Sequence, residues 1–550
     1  MPHESLQMTP AVPRLPTAEA FDLQPSQFPA RGLRDLFRPL NELLACGGDP
    51  RLALDLARGV NAYGCGPRPS PQTLSFASST ASAISKRAYE RAGAAREELM
   101  HAAITTGLEE AFDARMEEMR EELKACLRLA PGEVDIVFSP SGTDAQLHAL
   151  FLARSLLGPA LTTIVVGADQ TGSGTAYTAR GRHFAAVTAS EREVRLDGPI
   201  TGLSCDSIAL PLIDRAPDIR MRADADLAVL EAVEAAVEGG AGVLLQIMDS
   251  SKLGWRAPSQ ACLDEIARRW PNRVRIVVDA CQMRLGRRRL KAYLDHGYMV
   301  MITGSKYFGG PAFSGALLVP AALSRWVDRN ADVAPGLLNY TSRSDWPKGL
   351  RRLRNRFQLR ISLGQWLRWE AALDEIEAYY RVPDAFRSHA LRELREGIES
   401  LIMLSPSLGP IGSASETLAA EDQEFAHPTI FPFTIRRRER PLSVGECRAV
   451  YHALARDISE AIGGSDADRA IAAGHCLVGQ PVRIERQDEE AVGVLRLCVG
   501  ARLVTEAWSP DAELARQNLE RELDRIACVI AKIELLLACN TELARFAHGV

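Results

Sequence analysis

Nowhere in the 550 residues does an apolar run approach the roughly 18 that a membrane-crossing helix requires. The N-terminus shows no basic segment followed by an apolar core, so no secretory signal is expected and the location is read as cytoplasmic. The eleven cysteines include no Cys-x-x-Cys pair. An odd, scattered set suits reduced thiols better than a disulfide framework, and no metal site is read from it. Net charge is slight, -5 at pH 7, which gives no reason to propose nucleic acid or an anionic membrane as partner. There is no internal repeat. Lysine is scarce beside arginine, so each lysine can be weighed singly.

What is present is a soluble, globular composition, 46% hydrophobic and 25% charged. The chain is too long for one ordinary core. Four parts are expected: a flexible Pro-rich arm over 1–30, a helix-and-loop segment over 31–95 that contributes to the active site, a large α/β domain over 96–382, and a smaller α+β domain over 383–550. The arm has an alternative, an extended strap on a partner subunit. Leu33, Leu36, Phe37, Leu40, Leu43 and Leu44 predict one helical face between 32 and about 57. In residues 59–85, Gly64, Gly66, Pro67, Pro69 and Pro71 exclude regular helix, and a Ser/Thr cluster at 78–82 supplies capping chemistry. Residues 86–130 read as helix. Apolar runs at 134–138, 163–167, 184–188, 208–213, 243–248, 274–278, 298–302 and 315–319 then alternate with helical patterns. That alternation predicts an α/β domain with a mostly parallel sheet, its ligand beyond the strand ends. Further on, 350–380 and 385–401 read as helix, 429–435, 480–484 and 494–499 as strands, and 510 to about 546 as one or two long helices.

Four motifs fall at strand ends. Ser139-Pro140-Ser141-Gly142-Thr143-Asp144 lies between a strand and a helix. Small residues let backbone N–H groups approach an anion, so Gly142, Thr143 and Asp144 suit a phosphate, although the same residues make an ordinary N-cap. Asp279 closes a buried strand and must find a cation or a strong donor there. A protonated pyridine nitrogen qualifies; so does a salt bridge or a helix cap. Lys306 follows an apolar run through Thr303-Gly304-Ser305 and precedes a glycine-rich turn and a second apolar run. Desolvation at such a place frees a nucleophilic amine, which suits a Schiff base with pyridoxal 5'-phosphate (PLP). Lys252, in Asp249-Ser250-Ser251-Lys252, is the nearby rival, without the strand–glycine frame. Arg496 sits within the apolar run Val494-Leu495-Arg496-Leu497-Cys498 and needs an anion, from a substrate or from a structural ion pair.

The order of phosphate loop, acidic strand end and lysine resembles the fold-type I PLP enzymes, the aspartate aminotransferase superfamily. It is most similar to the class V branch of aminotransferases, cysteine desulfurases and kynureninase, whose Val-Asp-Ala-x-Gln motif matches Val278–Gln282. The resemblance covers roughly residues 60–545. It implies a large domain with a seven-stranded-type, mostly parallel sheet flanked by helices, and a smaller α+β domain. It implies that Lys306 carries PLP, that Asp279 pairs with the pyridine nitrogen and Gln282 with the phenolic oxygen. Gly142, Thr143, Thr303 and Ser305 would hold the phosphate. Arg496, in a strand like the family's carboxylate-binding strand, would fork the substrate α-carboxylate; Arg360 fits the same pattern but comes too early. Such enzymes are generally homodimers with the site at the subunit boundary, and residues 338–343 are placed to reach the neighbour's phosphate.

The match departs where the family often sets a histidine over the cofactor ring. Here the place reads Ala168-Asp169-Gln170-Thr171, so Gln170 is the expected ring cover, with Thr171 second. The missing imidazole removes a usual proton carrier. A desulfurase also needs a mobile thiol; Cys476 lies in the right region but beside an apolar strand, and Cys65 is the other candidate. His148 and His183 read as packing or hydrogen-bonding residues, and the 366–369 region as helix core. The expected function is a PLP-dependent enzyme acting on an amino acid, of lyase or aminotransferase type. The alternatives are a PLP-dependent decarboxylase or carbon–carbon bond-forming enzyme and, in another class, a non-catalytic PLP-binding protein.

Overall fold

The computed structural model describes residues 32–538 apart from 56, 62, 79–82, 215–218, 413–421, 439, 463 and 487–488. The arm over 1–30, Cys539, most of the 78–82 cluster and the chain end beyond 538 lie outside the described residues.

A short strand comes first, β1 (Leu74–Phe76). Seven strands then make one sheet: β2 (Val134–Ser139), β3 (Leu161–Val166), β4 (Asp206–Leu210), β5 (Gly242–Met248), β6 (Val274–Asp279), β7 (Met299–Thr303) and β8 (Gly315–Pro320). Their spatial order is β2-β8-β7-β6-β5-β3-β4. Only β8 runs antiparallel to its neighbours, β2 and β7; the other pairings are parallel. Every residue of β3, β5, β7 and β8 is buried. Helices cover both faces of such a sheet, which is why these strands read as unbroken apolar runs. The α/β class is as expected, with six strands pointing one way.

The remaining strands are β9 (Leu408–Pro410), β10 (Ile430–Arg437), β11 (Arg440–Pro441), β12 (Cys476–Arg486) and β13 (Glu489–Cys498). With β1 they form a second sheet, ordered β1-β12-β13-β10-β11, with β9 on β10. β1 is a correction to the expected loop over 59–85. Its residues Leu74, Ser75 and Phe76 pair in parallel with Cys476, Leu477 and Val478, so the N-terminal segment is an edge of the C-terminal sheet.

Two other expectations fail. The single helix between 32 and 57 is broken into turns at Leu33–Phe37, Leu40–Leu44 and Pro50–Leu52. Pro39 cannot continue a helix, and the break leaves Phe37 72% exposed while Leu36 and Leu43 are buried. The strand at 184–188 is a loop held by isolated bridges, Arg182 to Pro199 and Val187 to Glu193. The Phe184 ring packs against Tyr340.

The two sheets are tied by Arg284, which follows β6. Its buried guanidinium donates to the Thr429 carbonyl and hydroxyl, to the Val499 carbonyl and to the Ser78 hydroxyl. The strand carrying Arg496 is thereby registered against the loop that follows Asp279.

Candidate active site

A cavity of about 250 Å³ opens at the C-terminal edge of the first sheet. Each strand there ends in one chemical piece. β2 leads to Gly142 and Thr143, β3 to Gln170, β5 to Lys252, β6 to Asp279 and Gln282, and β7 to Thr303, Ser305 and Lys306. β12 and β13 close the far side with Gln480 and Arg496. Parallel strands deliver their following loops to one edge, and the second sheet adds Gln480 and Arg496 from far downstream in the sequence.

The helix Gly142–Leu157 starts at the cavity. Its N-cap is Ser141, whose hydroxyl accepts from the Asp144 N–H and donates to the Asp144 carboxylate at 2.6 Å. The Asp144 side chain is thereby turned into the cap and does not line the cavity. Burial first, then Asp49, raises its pKa. Gly142 is needed by close approach: a Cβ there would lie 2.6 Å from Cys281 Sγ. The first-turn amides of this 16-residue helix, opened by Gly142, are suited to an anion.

Asp279 ends β6. Its Oδ1 accepts from the Cys281 N–H at 3.2 Å, and its Oδ2 is 3.5 Å from Gln246 Nε2. Gln246 in turn accepts from Gln146, and Gln146 from the Thr178 hydroxyl. This row of neutral groups orients the carboxylate without neutralising it. No salt bridge to Asp279 exists among the described residues. Half-buried in the cavity wall, the carboxylate can accept a further cationic or N–H donor.

Lys306 follows β7. Thr303 donates its hydroxyl to the Cys281 carbonyl at 2.7 Å, and Ser305 lines the cavity. The glycine turn beyond is pressed onto the helix Leu363–Arg381: a Cβ on Gly310 would meet Ala372 at 2.8 Å. Lys252 lies on the other side of Asp279, since β5 and β7 flank β6. Burial, then the charges of Arg496 and Lys306, push its amine down to about 8.

Arg496 is 1% exposed. Its Nη2 donates to the Gln480 carbonyl at 2.6 Å and its Nη1 to the Lys252 carbonyl at 3.4 Å, while Nε has no partner. No carboxylate pairs with it among the described residues. Burial alone lowers its pKa. A desolvated charge costs several kcal/mol, on the order of that for a buried ion in protein. Two carbonyl dipoles offset only part of this.

Gln170 is buried with its Oε1 unpartnered, and it lines the cavity with Gln282. No imidazole lines the cavity among the described residues. His148 is packed against Trp346, and burial lowers it to about 3. His183 bonds the Tyr340 hydroxyl at 2.6 Å. Cys476 lies buried in β12 with its thiol pushed up to about 11 by burial, and Cys65 is pushed up to about 12. Neither thiol lines the cavity. Arg360 donates to the Leu338 and Thr341 carbonyls, away from the cavity. Trp366 and Trp369 are core, as expected.

Two residues of the cavity lining, Arg51 and Tyr63, had no signal in the sequence. Arg51 reaches Thr143 Oγ1 at 3.3 Å and stacks over Phe313. Burial opposes its charge, but the ion pair with Asp49 overrides this and raises its pKa. Tyr63 lies in the 59–85 loop, tilted against the Phe313 ring at 5.8 Å. Loop residues carry no periodicity, so only the fold reveals what they face.

No protein-family model and no curated protein matches the chain. Solved structures are similar at low identity. A NifS-like protein is 13% identical, with 82% of this chain and 99% of that chain covered and a TM-score of 0.48. A lysine-to-alanine mutant of C-DES with glycine covalently linked to its PLP cofactor is 14% identical, covering 82% and 97%, at TM-score 0.44. The cystine C–S lyase C-DES with its product cysteine persulfide is 16% identical, covering 82% and 97%, at TM-score 0.42.

Proposed function

We propose that this protein is a PLP-dependent enzyme of the fold-type I, class V kind, acting on an amino acid as a lyase or aminotransferase. The observation that carries the reading is the charge pattern of one cavity. An unneutralised carboxylate, Asp279, stands between two lysine-bearing strand ends, in a cavity also lined by the first residues of a helix, Gly142 and Thr143. The group that fits has an N–H for the carboxylate, a carbonyl carbon for an amine and a phosphate for the helix end.

In this reading Asp279 accepts from the pyridine nitrogen of PLP, and Gln282 donates to its phenolic oxygen. The amides of Gly142 and Thr143, with the hydroxyls of Thr303 and Ser305, take the phosphate. Asp144 serves from behind, by fixing the cap. Gln170 covers the ring in place of an aromatic residue. Bound PLP supplies an electron sink for a bond at the substrate Cα. Lys306 would hold the cofactor and, as a free amine, would move the proton at the substrate Cα. It is preferred to Lys252 because it stands in the frame of strand, lysine, glycine turn and strand that runs from β7 to β8, whereas Lys252 adjoins Arg496. Arg496 grips the substrate α-carboxylate and keeps it from leaving, which favours lyase or aminotransferase chemistry over decarboxylation. A cytoplasmic homodimer, divided at about residues 95 and 382, belongs to the same proposal.

Protein reconstituted with PLP is expected to absorb in the visible, and borohydride followed by peptide mapping to leave the cofactor on Lys306. Label on Lys252, or no affinity for PLP, overturns the assignment. Keto acid, sulfide, ammonia or carbon dioxide released from an amino-acid panel then identifies the reaction.

A further inference from the structure

The cavity carries more positive charge than a cofactor and one carboxylate can use. Its lining includes the cations Arg51, Lys252, Lys306 and Arg496 against one carboxylate, Asp279. In the PLP reading, on which this inference rests, Lys306 is consumed by the cofactor and Asp279 by the pyridine nitrogen. Arg51 already holds Asp49, with Oδ1 at 2.8 Å, and it adjoins the phosphate end through Thr143. Arg496 takes the α-carboxylate. Lys252 is left over. Its ammonium makes no hydrogen bond or salt bridge among the described residues, and the residue is half-buried in the cavity wall.

We propose that Lys252 binds a second acidic group on the substrate, so that the enzyme acts on an amino diacid. The geometry supports a paired site. The Lys252 carbonyl accepts from Arg496 Nη1, so one backbone segment fixes both cations relative to each other. The two anchors come from different sheets, Lys252 from the loop after β5 and Arg496 from β13, and both line the cavity. Without a second anion, Lys252 and Arg496 would repel each other in a site with little water to screen them. A monocarboxylate answers one of these charges; a diacid answers both.

The test is equilibrium binding of unreactive acids to the PLP-loaded protein, followed by calorimetry and by cofactor absorbance. Malonate, succinate and glutarate are compared with acetate, propionate and butyrate. At least one diacid is expected to bind about tenfold more tightly than its monoacid, the equivalent of about 1.4 kcal/mol. Lys252→Met is expected to abolish that preference with monoacid affinity kept, and Lys252→Arg to restore it. No diacid preference in the wild type, or an equal loss of both acid classes in Lys252→Met, overturns the proposal. The borohydride label on Lys306 reports that each variant is folded and loaded. A wild type that takes up no PLP sinks the cofactor reading instead, and calorimetry of the same acids on it still decides for or against the Lys252 site.

Discussion

Arg496 commits both terminal nitrogens to carbonyl oxygens, from Gln480 and Lys252, and keeps Nε free in a buried site. A lysine cannot copy that fork. Arg496→Lys is expected to lower kcat/KM about 100-fold, mainly through KM, within the 2–5 kcal/mol typical of a buried hydrogen-bonded charge pair. Steady-state kinetics with the best substrate of the panel reads it. Lys252 adds a pH dependence. Arg496 and Lys306 face it and lower its pKa after burial, while Asp169 and Asp279 raise it, leaving about 8. The amine is charged below that value and neutral above it. Diacid affinity is therefore expected to fall as pH rises past about 8, and the fall to move to higher pH in Lys252→Arg. Binding titrations across the range measure both.

At the scale of elements, the anion cradle depends on how closely the helix Gly142–Leu157 approaches the loop after β6. The 2.6 Å separation between a Cβ at position 142 and Cys281 Sγ leaves no room for a methyl group. Gly142→Ala is expected to cost about 1–3 kcal/mol, the usual range for overpacking, and to weaken PLP binding. Cys281→Ala removes the obstructing sulfur and is expected to restore much of both in the double variant. Thermal denaturation and PLP titration of the four proteins in that cycle give the answer; no recovery would mean that the amides, not the contact, are at fault. Behind Asp279, the row Gln246, Gln146, Thr178 is a positioning device. Gln246→Leu removes its first member, and with it a donor to Asp279. It is expected to leave the Lys306 label intact, shift the cofactor absorbance and lower kcat about tenfold, a 1.4 kcal/mol effect.

For the whole molecule, Arg284 joins the two sheets through four hydrogen bonds, to Thr429 twice, Val499 and Ser78. Hydrogen bonds from a charged donor are worth about 1.5–3 kcal/mol each, and not additively. Arg284→Met is expected to destabilise the protein by about 3 kcal/mol and to raise KM, because β13 loses its register to the β6 loop. A stability loss with unchanged KM would show that Arg496 is positioned by its own sheet alone. Denaturant unfolding and kinetics on one preparation separate the two results.

Most strands of the first sheet were legible because they are buried on both faces, which writes an unbroken apolar run; the edge strand β4 is partly exposed. The pieces at their ends were legible for a related reason. Asp279, Lys306 and Gly142-Thr143 stand where polar residues interrupt such runs, and a parallel sheet brings all those interruptions to one edge. The second sheet was partly hidden: β1 is three residues long within a loop rich in Gly and Pro, and its partner is some 400 residues away. Arg51, Tyr63 and Gln246 carried no local mark, since nothing in their neighbours says what they face. Lys252 was ranked by its sequence frame and found wanting. Only the lateral order β7-β6-β5 shows that it flanks Asp279 opposite Lys306. Local sequence decides which residues end a strand, because backbone sterics and hydrophobic period act over a few residues. Which ends share a cavity, and which charges there lack a partner, is decided by strand order, and that follows from packing across the whole chain.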